Sequence, residues 1–297
     1  MTDRVFEKAL ADFVAEGGGS VTLTPIVGDA LIDPQFLQRV RRLRAEPRID
    51  RIRLITNGIL LDRFGIENVV TSGLDFLAVS TAGFDEETYL RVFRSASYRR
   101  MRDNLLSLLE CNERLGRPIG RVSILVRSDR PYEEVVQSPD FKEALRYSPG
   151  VHYSATFSSF VGRIKPQSLP AGMYLFTGAT TKEEPCQKLY DSPIVLPDGT
   201  VLACDCYSAM DAVSDLAIGN ILERSLGEIW RGDRVVQLRR EFFGGNLNTT
   251  CGGCDNYLDL SLYRGPEGRE RARLSRLRGA GAWERRAPDS EGSWMEP

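Results

Sequence analysis

The chain has 297 residues, 42% of them hydrophobic and 27% charged, with a formal net charge of −2. That balance argues against an intrinsically disordered chain and against a polyanion partner. No apolar run reaches the roughly 18 residues of a membrane span, and Met1-Thr2-Asp3-Arg4 is not followed by the apolar core of a secretory leader, so the expectation is a cytoplasmic protein with no membrane partner.

From Arg4 to Glu16 the recurrence of Phe6, Leu10 and Phe13 predicts a helix, ended by Gly17-Gly18-Gly19. A strand is expected over Ser20 to Thr24. After Val27-Gly28-Asp29-Ala30, the Asp33-Pro34 pair supplies a cap and a first-turn proline for a helix that turns Phe36, Val40 and Leu43 inward. The unit then repeats. Arg51 to Thr56 reads as a strand closing in Asn57-Gly58, Leu60 to Ile66 as helical, and Leu74 to Ser80 as the next strand. Helices are predicted over Asp85 to Arg94 and Tyr98 to Leu115, strands over Arg121 to Val126 and Val151 to Phe157, and a helix near Pro139 to Arg146.

This β/α alternation predicts parallel strands joined by right-handed crossovers, with functional loops at the carboxyl ends of the strands. Gly28-Asp29, Asn57-Gly58 and Ser80-Thr81 fall there. Glycine admits a ligand close to the backbone, and a carboxylate such as Asp29 can accept bonds from an ammonium group. Each of these residues taken alone also suits an ordinary turn. His152 is the only histidine and is read as a strand residue, which leaves no histidine pair for a triad or an HExxH zinc site.

From about Lys165 to Glu184 the composition turns to proline, glycine, threonine and charge, and is read as a linker or bridging loop. Beyond it Cys186, Cys204 and Cys251-Gly252-Gly253-Cys254 are separated by 17 and 46 residues. In a reducing compartment such a set reads as metal ligation sooner than as disulfides. A CxxC pair places two sulfurs on one tight knuckle. Ile194-Val195-Leu196 and Thr200 to Ala203 flank Pro197-Asp198-Gly199 and predict a hairpin that delivers Cys204. Cys206 shares that face, as a rival ligand or a spare thiol. Cys111 falls on the apolar face of its helix with Leu108 and Leu115 and is read as core. Iron–sulfur and zinc are both open on spacing alone. Ala217 to Ile221, Ser225 to Trp230 and a helix through Val235, Val236 and Leu238 follow, with Trp230 read as core. The arginine-rich stretch from Arg264 is interleaved with glutamates and predicts a solvated helix or loose tail, making nucleic acid an unexpected partner.

Taken together, Val27-Gly28-Asp29-Ala30-Leu31-Ile32-Asp33-Pro34, Leu54 to Leu61, Val79-Ser80 and Tyr89 to Arg94 resemble the radical S-adenosylmethionine (radical SAM) superfamily. Cys186-x12-Gly199-x4-Cys204, Gly219-Asn220-Ile221 and Leu226-Gly227-Glu228-Ile229-Trp230 resemble its SPASM/twitch extension. The resemblance implies an α/β fold: a partial (β/α)6 TIM-like barrel over residues 1–165, a small α+β twitch domain over 166–258, and a charged tail over 259–297. It implies an auxiliary four-iron, four-sulfur cluster on Cys186, Cys204, Cys251 and Cys254, with the neighbouring motifs favouring iron over zinc. It also implies S-adenosylmethionine contacts at Gly28 and Asp29, where Asp replaces the usual Glu and Ala30 the usual Pro, and at Ser80, Asn57 and Arg94.

The family's CxxxCxxC loop has no counterpart, since no cysteine precedes Cys111, and five strands are legible where the family has six. The expectation is a barrel without its first strand, with truncation favoured over a degenerate relative that has given up radical chemistry. The complete protein would take electrons from a reducing donor, form a 5′-deoxyadenosyl radical and oxidise or modify a small metabolite or peptide. The chain as written, lacking ligands for the reducing cluster, is not expected to cleave S-adenosylmethionine. The alternative reading is a non-catalytic iron–sulfur or zinc-binding partner protein.

Overall fold

The computed structural model of the chain describes residues 1–24, 28–176, 181–204 and 213–263. In chain order its elements are α1 (Asp3–Ala15), β1 (Gly19–Leu23), α2 (Phe36–Arg44), β2 (Ile49–Thr56), α3 (Ile66–Val70), β3 (Phe76–Ala82), α4 (Glu86–Phe93), α5 (Tyr98–Arg114), β4 (Arg121–Arg127), α6 (Tyr132–Val135), α7 (Pro139–Leu145) and β5 (Gly150–Ser154). There follow β6 (Thr156–Phe157), β7 (Tyr174–Leu175), α8 (Lys188–Asp191), β8 (Ile194–Val195), β9 (Thr200–Leu202), α9 (Val213–Leu216), β10 (Ala217–Asn220), α10 (Leu226–Trp230), α11 (Asp233–Gly244) and α12 (Thr249–Gly253). They fall into two compact units: one runs from Ser20 to Ala155 with Pro170–Met173, and the other holds Met1–Gly19, Thr156–Leu169 and the described residues from Tyr174 onward.

The first unit is an α/β layer structure around a five-stranded sheet in the order β1-β2-β3-β4-β5, with β2 through β5 paired in parallel. The strand order equals the chain order, as successive crossovers of one hand produce in barrel-type winding. The middle strand β3 reads Phe-Leu-Ala-Val-Ser-Thr-Ala, and Leu77, Ala78 and Val79 are fully buried. Such a continuous apolar run is what a parallel strand covered on both faces requires. On α5, Met101, Leu105 and Leu108 recur at helical spacing and are fully buried. Asn104 on the same helix donates to the carbonyls of Gly58 (2.9 Å) and Ile59 (3.1 Å), fixing the turn after β2.

The five strands read from the sequence are the five of this sheet, with local differences. Leu60 to Ile66 is not one helix: a 3-10 turn over Leu61–Phe64 gives way to α3 at Gly65, whose φ of +76° breaks the run. The third strand extends past Ser80 to Ala82. Val151 to Phe157 divides at Ala155, with β6 pairing in parallel with β7 as a separate two-stranded sheet. The stretch read as a linker therefore carries a strand. It also sends Gly172 against Asp129, where a Cβ would stand 2.6 Å from the Asp129 carbonyl oxygen.

In the second unit, β10, β9 and β8 form an antiparallel sheet. Pro197-Asp198-Gly199 makes the expected hairpin turn, Gly199 adopting φ +89° and donating to the carbonyl of Leu196 (2.9 Å). α1 lies in this unit: Asp12 accepts from the Leu226 amide at the start of α10 (2.9 Å), and Glu16 pairs with Arg231 at its end. Ser225 and Glu228 close a capping box at the head of α10. Among the described residues no helix is long and apolar enough to cross a membrane.

Candidate metal centre and cofactor site

Cys204 leaves the end of β9, Cys186 precedes α8, and Cys251 and Cys254 sit on the short helix α12 and at its carboxyl cap. Cys186 and Cys204 are buried and the knuckle cysteines half-buried; none of the four forms a disulfide. They converge electrostatically. Burial pushes the Cys186 thiol up to about 11, and the neighbouring Cys204 and Cys254 add to the rise. Burial likewise pushes Cys251 up to about 12, with Cys204, Cys254 and Cys186 contributing. A desolvated group of mutually repelling thiolates is costly unless a cation sits among them. That donor set suits a soft or borderline metal.

Backbone pairing and side-chain bonds hold the four in place. Cys186 bridges antiparallel to Asp259, flanked by bonds from the Gln187 amide to Leu258 (2.8 Å) and from Leu260 to Pro185 (3.0 Å). Arg239 donates to the Leu189 carbonyl (2.8 Å) and lays its guanidinium 4.5 Å from the Tyr190 ring centre and 5.3 Å from that of Trp230. Trp230 is thus a half-buried platform for an arginine, where the sequence reading placed it in the core.

The knuckle is braced from several sides. Asn248 caps α12, accepting from the Cys251 amide (2.9 Å), and Asp215 accepts from the amide and hydroxyl of Thr250 (3.1 and 2.7 Å). Lys182 donates to the carbonyls of Cys251 (2.6 Å), Gly252 (2.9 Å) and Cys254 (2.7 Å). Asp255 accepts from the Ser158 hydroxyl (2.8 Å) and the Ser159 amide, and the Asn256 amide donates to Cys254 Sγ (3.3 Å). Gly253 is required by space, because a Cβ there would stand 2.6 Å from Val161 Cγ1. The sequence reading passed over Asn248, which its place as a helix-start residue before Thr249-Thr250 could have found. Lys182 and Asp255 carried no such signal. Cys206 lies outside the described residues, as does the arginine-rich stretch from 264 onward. Cys111 is buried on α5 and takes no part in this group.

In the sheet unit, Gly28 is exposed with φ +96°, and Asp29 beside it is buried. The Asp29 carboxylate accepts from the Leu31 amide (3.0 Å), the Thr56 hydroxyl (2.8 Å) and the Asn57 amide (2.8 Å). The structure thereby brings Gly28, Asp29 and Asn57 together where β1 and β2 end, and adds Thr56, which the sequence did not single out. Most of the carboxylate's acceptor capacity is already used inside the chain. Ser80 is half-buried on β3, and Arg94 is the exposed, left-handed cap of α4 at φ +53°. Neither is bonded to Asp29 or Asn57. His152 lies on β5 in register with Leu125, as a strand residue should.

Residues 186–255 match the SPASM family, described as an iron-sulfur cluster-binding domain. BtrN, solved in complex with AdoMet and 2-DOIA, aligns with 87% of this chain and 82% of its own at a TM-score of 0.55 and 16% identity. SuiB of Streptococcus suis, solved bound to S-adenosylmethionine, aligns with 89% of this chain and 67% of its own at a TM-score of 0.53 and 12% identity. At these identities the likeness is one of fold. By sequence, the GTP 3',8-cyclase of Chlorobaculum tepidum is 33% identical over 82 residues, which are 28% of this chain and 24% of the cyclase. The chain carries a SPASM domain over residues 186–255 and shares its fold with BtrN and SuiB. The matched stretch spans about a quarter of the cyclase's length. All four converging cysteines lie within the SPASM stretch, whose boundaries fall at Cys186 and just past Cys254.

Proposed function

We propose that Cys186, Cys204, Cys251 and Cys254 hold one four-iron, four-sulfur cluster, and that the Gly28-Asp29, Asn57, Ser80 and Arg94 positions receive S-adenosylmethionine. The observation that carries the first half is the convergence of four cysteines, without disulfides, inside a stretch matching an iron-sulfur cluster-binding family. The match of residues 186–255 to an iron-sulfur cluster-binding family supports the cluster over zinc. When bound, such a cluster supplies one-electron redox chemistry.

For S-adenosylmethionine the support is fold and loop chemistry. BtrN and SuiB are each solved with that cofactor on the shared fold. Gly28 lets a ligand approach the backbone at φ +96°, and Asp29 ties that loop to the end of β2. The substrate is proposed to be a small metabolite or a peptide: BtrN is solved with 2-DOIA, and SuiB with the precursor peptide SuiA.

Anaerobic reconstitution of the full chain with iron and sulfide tests the cluster. Uptake of about four of each per chain is expected, with Ser substitution at any of Cys186, Cys204, Cys251 or Cys254 lowering it and Cys111→Ser leaving it unchanged. A colourless protein holding one zinc ion would overturn the assignment. Calorimetric titration with S-adenosylmethionine tests the second half; no heat from the loaded wild-type chain would count against it.

A further inference from the structure

Lys182 belongs to no motif, yet its ammonium group is fully engaged. A lysine has three N–H donors, and here all three partners are backbone carbonyls of the cysteine knuckle: Cys251 at 2.6 Å, Gly252 at 2.9 Å and Cys254 at 2.7 Å. These carbonyls lie at the carboxyl end of α12, where the last groups of a helix have no partner within it and carry partial negative charge.

We propose that Lys182 is a positioning residue of the cluster site, which fixes the peptide units bearing Cys251 and Cys254 and places a positive charge beside two of the four ligands, raising the reduction potential of the cluster. This inference rests on the cluster reading above. Its physical ground is that an iron–sulfur potential responds to local charge and to hydrogen bonds on the sulfurs. Reduction adds an electron to a centre that already carries thiolates, so a fixed cation nearby stabilises the reduced form. The Asn256 amide, donating to Cys254 Sγ at 3.3 Å, acts in the same direction from another side. Geometry adds a second effect. Without the ammonium, three carbonyls point at one another, and the knuckle loses the group that holds them together.

The test uses the full chain, reconstituted anaerobically, in wild-type, Lys182→Met and Lys182→Arg forms. Wild-type protein that takes up no iron and sulfide sinks the cluster reading itself, before Lys182 is considered. In loaded protein two quantities are measured: the midpoint potential, by redox titration followed by electron paramagnetic resonance, and the rate of iron loss to a chelator. Lys182→Met is expected to shift the midpoint to more negative values and to lose iron about tenfold faster, the scale on which groups supporting metal ligands act. Lys182→Arg keeps the charge, but its planar fork cannot meet three carbonyls converging on one point. It should hold a near-wild-type midpoint and still lose iron faster. A Lys182→Met protein with the wild-type midpoint overturns the proposal. If that variant holds too little cluster to titrate, Lys182→Arg decides: faster iron loss supports the clamp, and wild-type retention overturns it.

Discussion

Asp29 shows how a residue at a ligand-facing loop can be committed to the fold first. Its carboxylate accepts from two backbone amides and one hydroxyl, and it is buried. Removing it strands three donors near the ends of β1 and β2, and an unmade buried bond costs more than a made one contributes. Asp29→Ala is therefore expected to destabilise the chain by about 2–4 kcal/mol, read as a lower denaturant midpoint with an unchanged slope. Asp29→Asn should recover only part, since its amide NH2 would face donors. The motif Gly28-Asp29 was legible in the sequence, because glycine next to a carboxylate after a strand marks a turn that a ligand can approach. That Asp29 binds Thr56 and Asn57 was not legible, for those partners are 27 and 28 residues on and one of them is a backbone amide.

At the scale of elements, the apolar pattern carried most of the information. α5 was readable because burial on one face imposes a helical period, β3 because a strand covered on both faces is a short continuous apolar run, and the hairpin because Pro197-Asp198-Gly199 has turn chemistry. The two-residue strands β6 and β7 were not, since two residues show no period, and the pairing that makes them strands is long-range. Two further substitutions test this level. Ser225→Ala removes the hydroxyl half of the capping box on α10 and should cost about 1 kcal/mol in thermal or chemical unfolding. Gly58→Ala should cost more, about 1–3 kcal/mol, because the site needs φ +74° and the new methyl would stand 2.9 Å from Val79 Cγ1. Equal losses at the two sites would contradict the turn geometry assigned here.

At the scale of the whole molecule, the two units hold separate cores. Ile52, Leu54, Leu77 and Leu105 close one, and Val201, Leu202, Ile229, Val235 and Leu238 close the other. The described elements next to its cysteines, α8, β9 and α12, are each three to five residues long, and ligand binding that requires the folded site adds directly to stability. Chelating the iron from reconstituted protein should therefore lower the unfolding temperature of the cysteine-bearing unit and leave most helical circular dichroism intact at that temperature. Simultaneous loss of all helical signal would show that the two cores unfold as one. The cysteine spacing announced the site, whereas α1's place in the cysteine unit could not be read, since an amphipathic face tells that it is covered and not by what.

The pairing of Cys186 with Asp259, together with Lys182's hold on carbonyls 69 to 72 residues ahead, sets an order of events during synthesis. Cys186 and Cys204 emerge first, and the knuckle that completes the site follows 47 residues after Cys204. At the usual pace of translation that is a wait of roughly 2–10 s. During it the two early thiols have neither their partners nor the segment around Asp259 that pairs with Cys186, so the site cannot be filled while the chain is half made, and loading belongs to the finished protein.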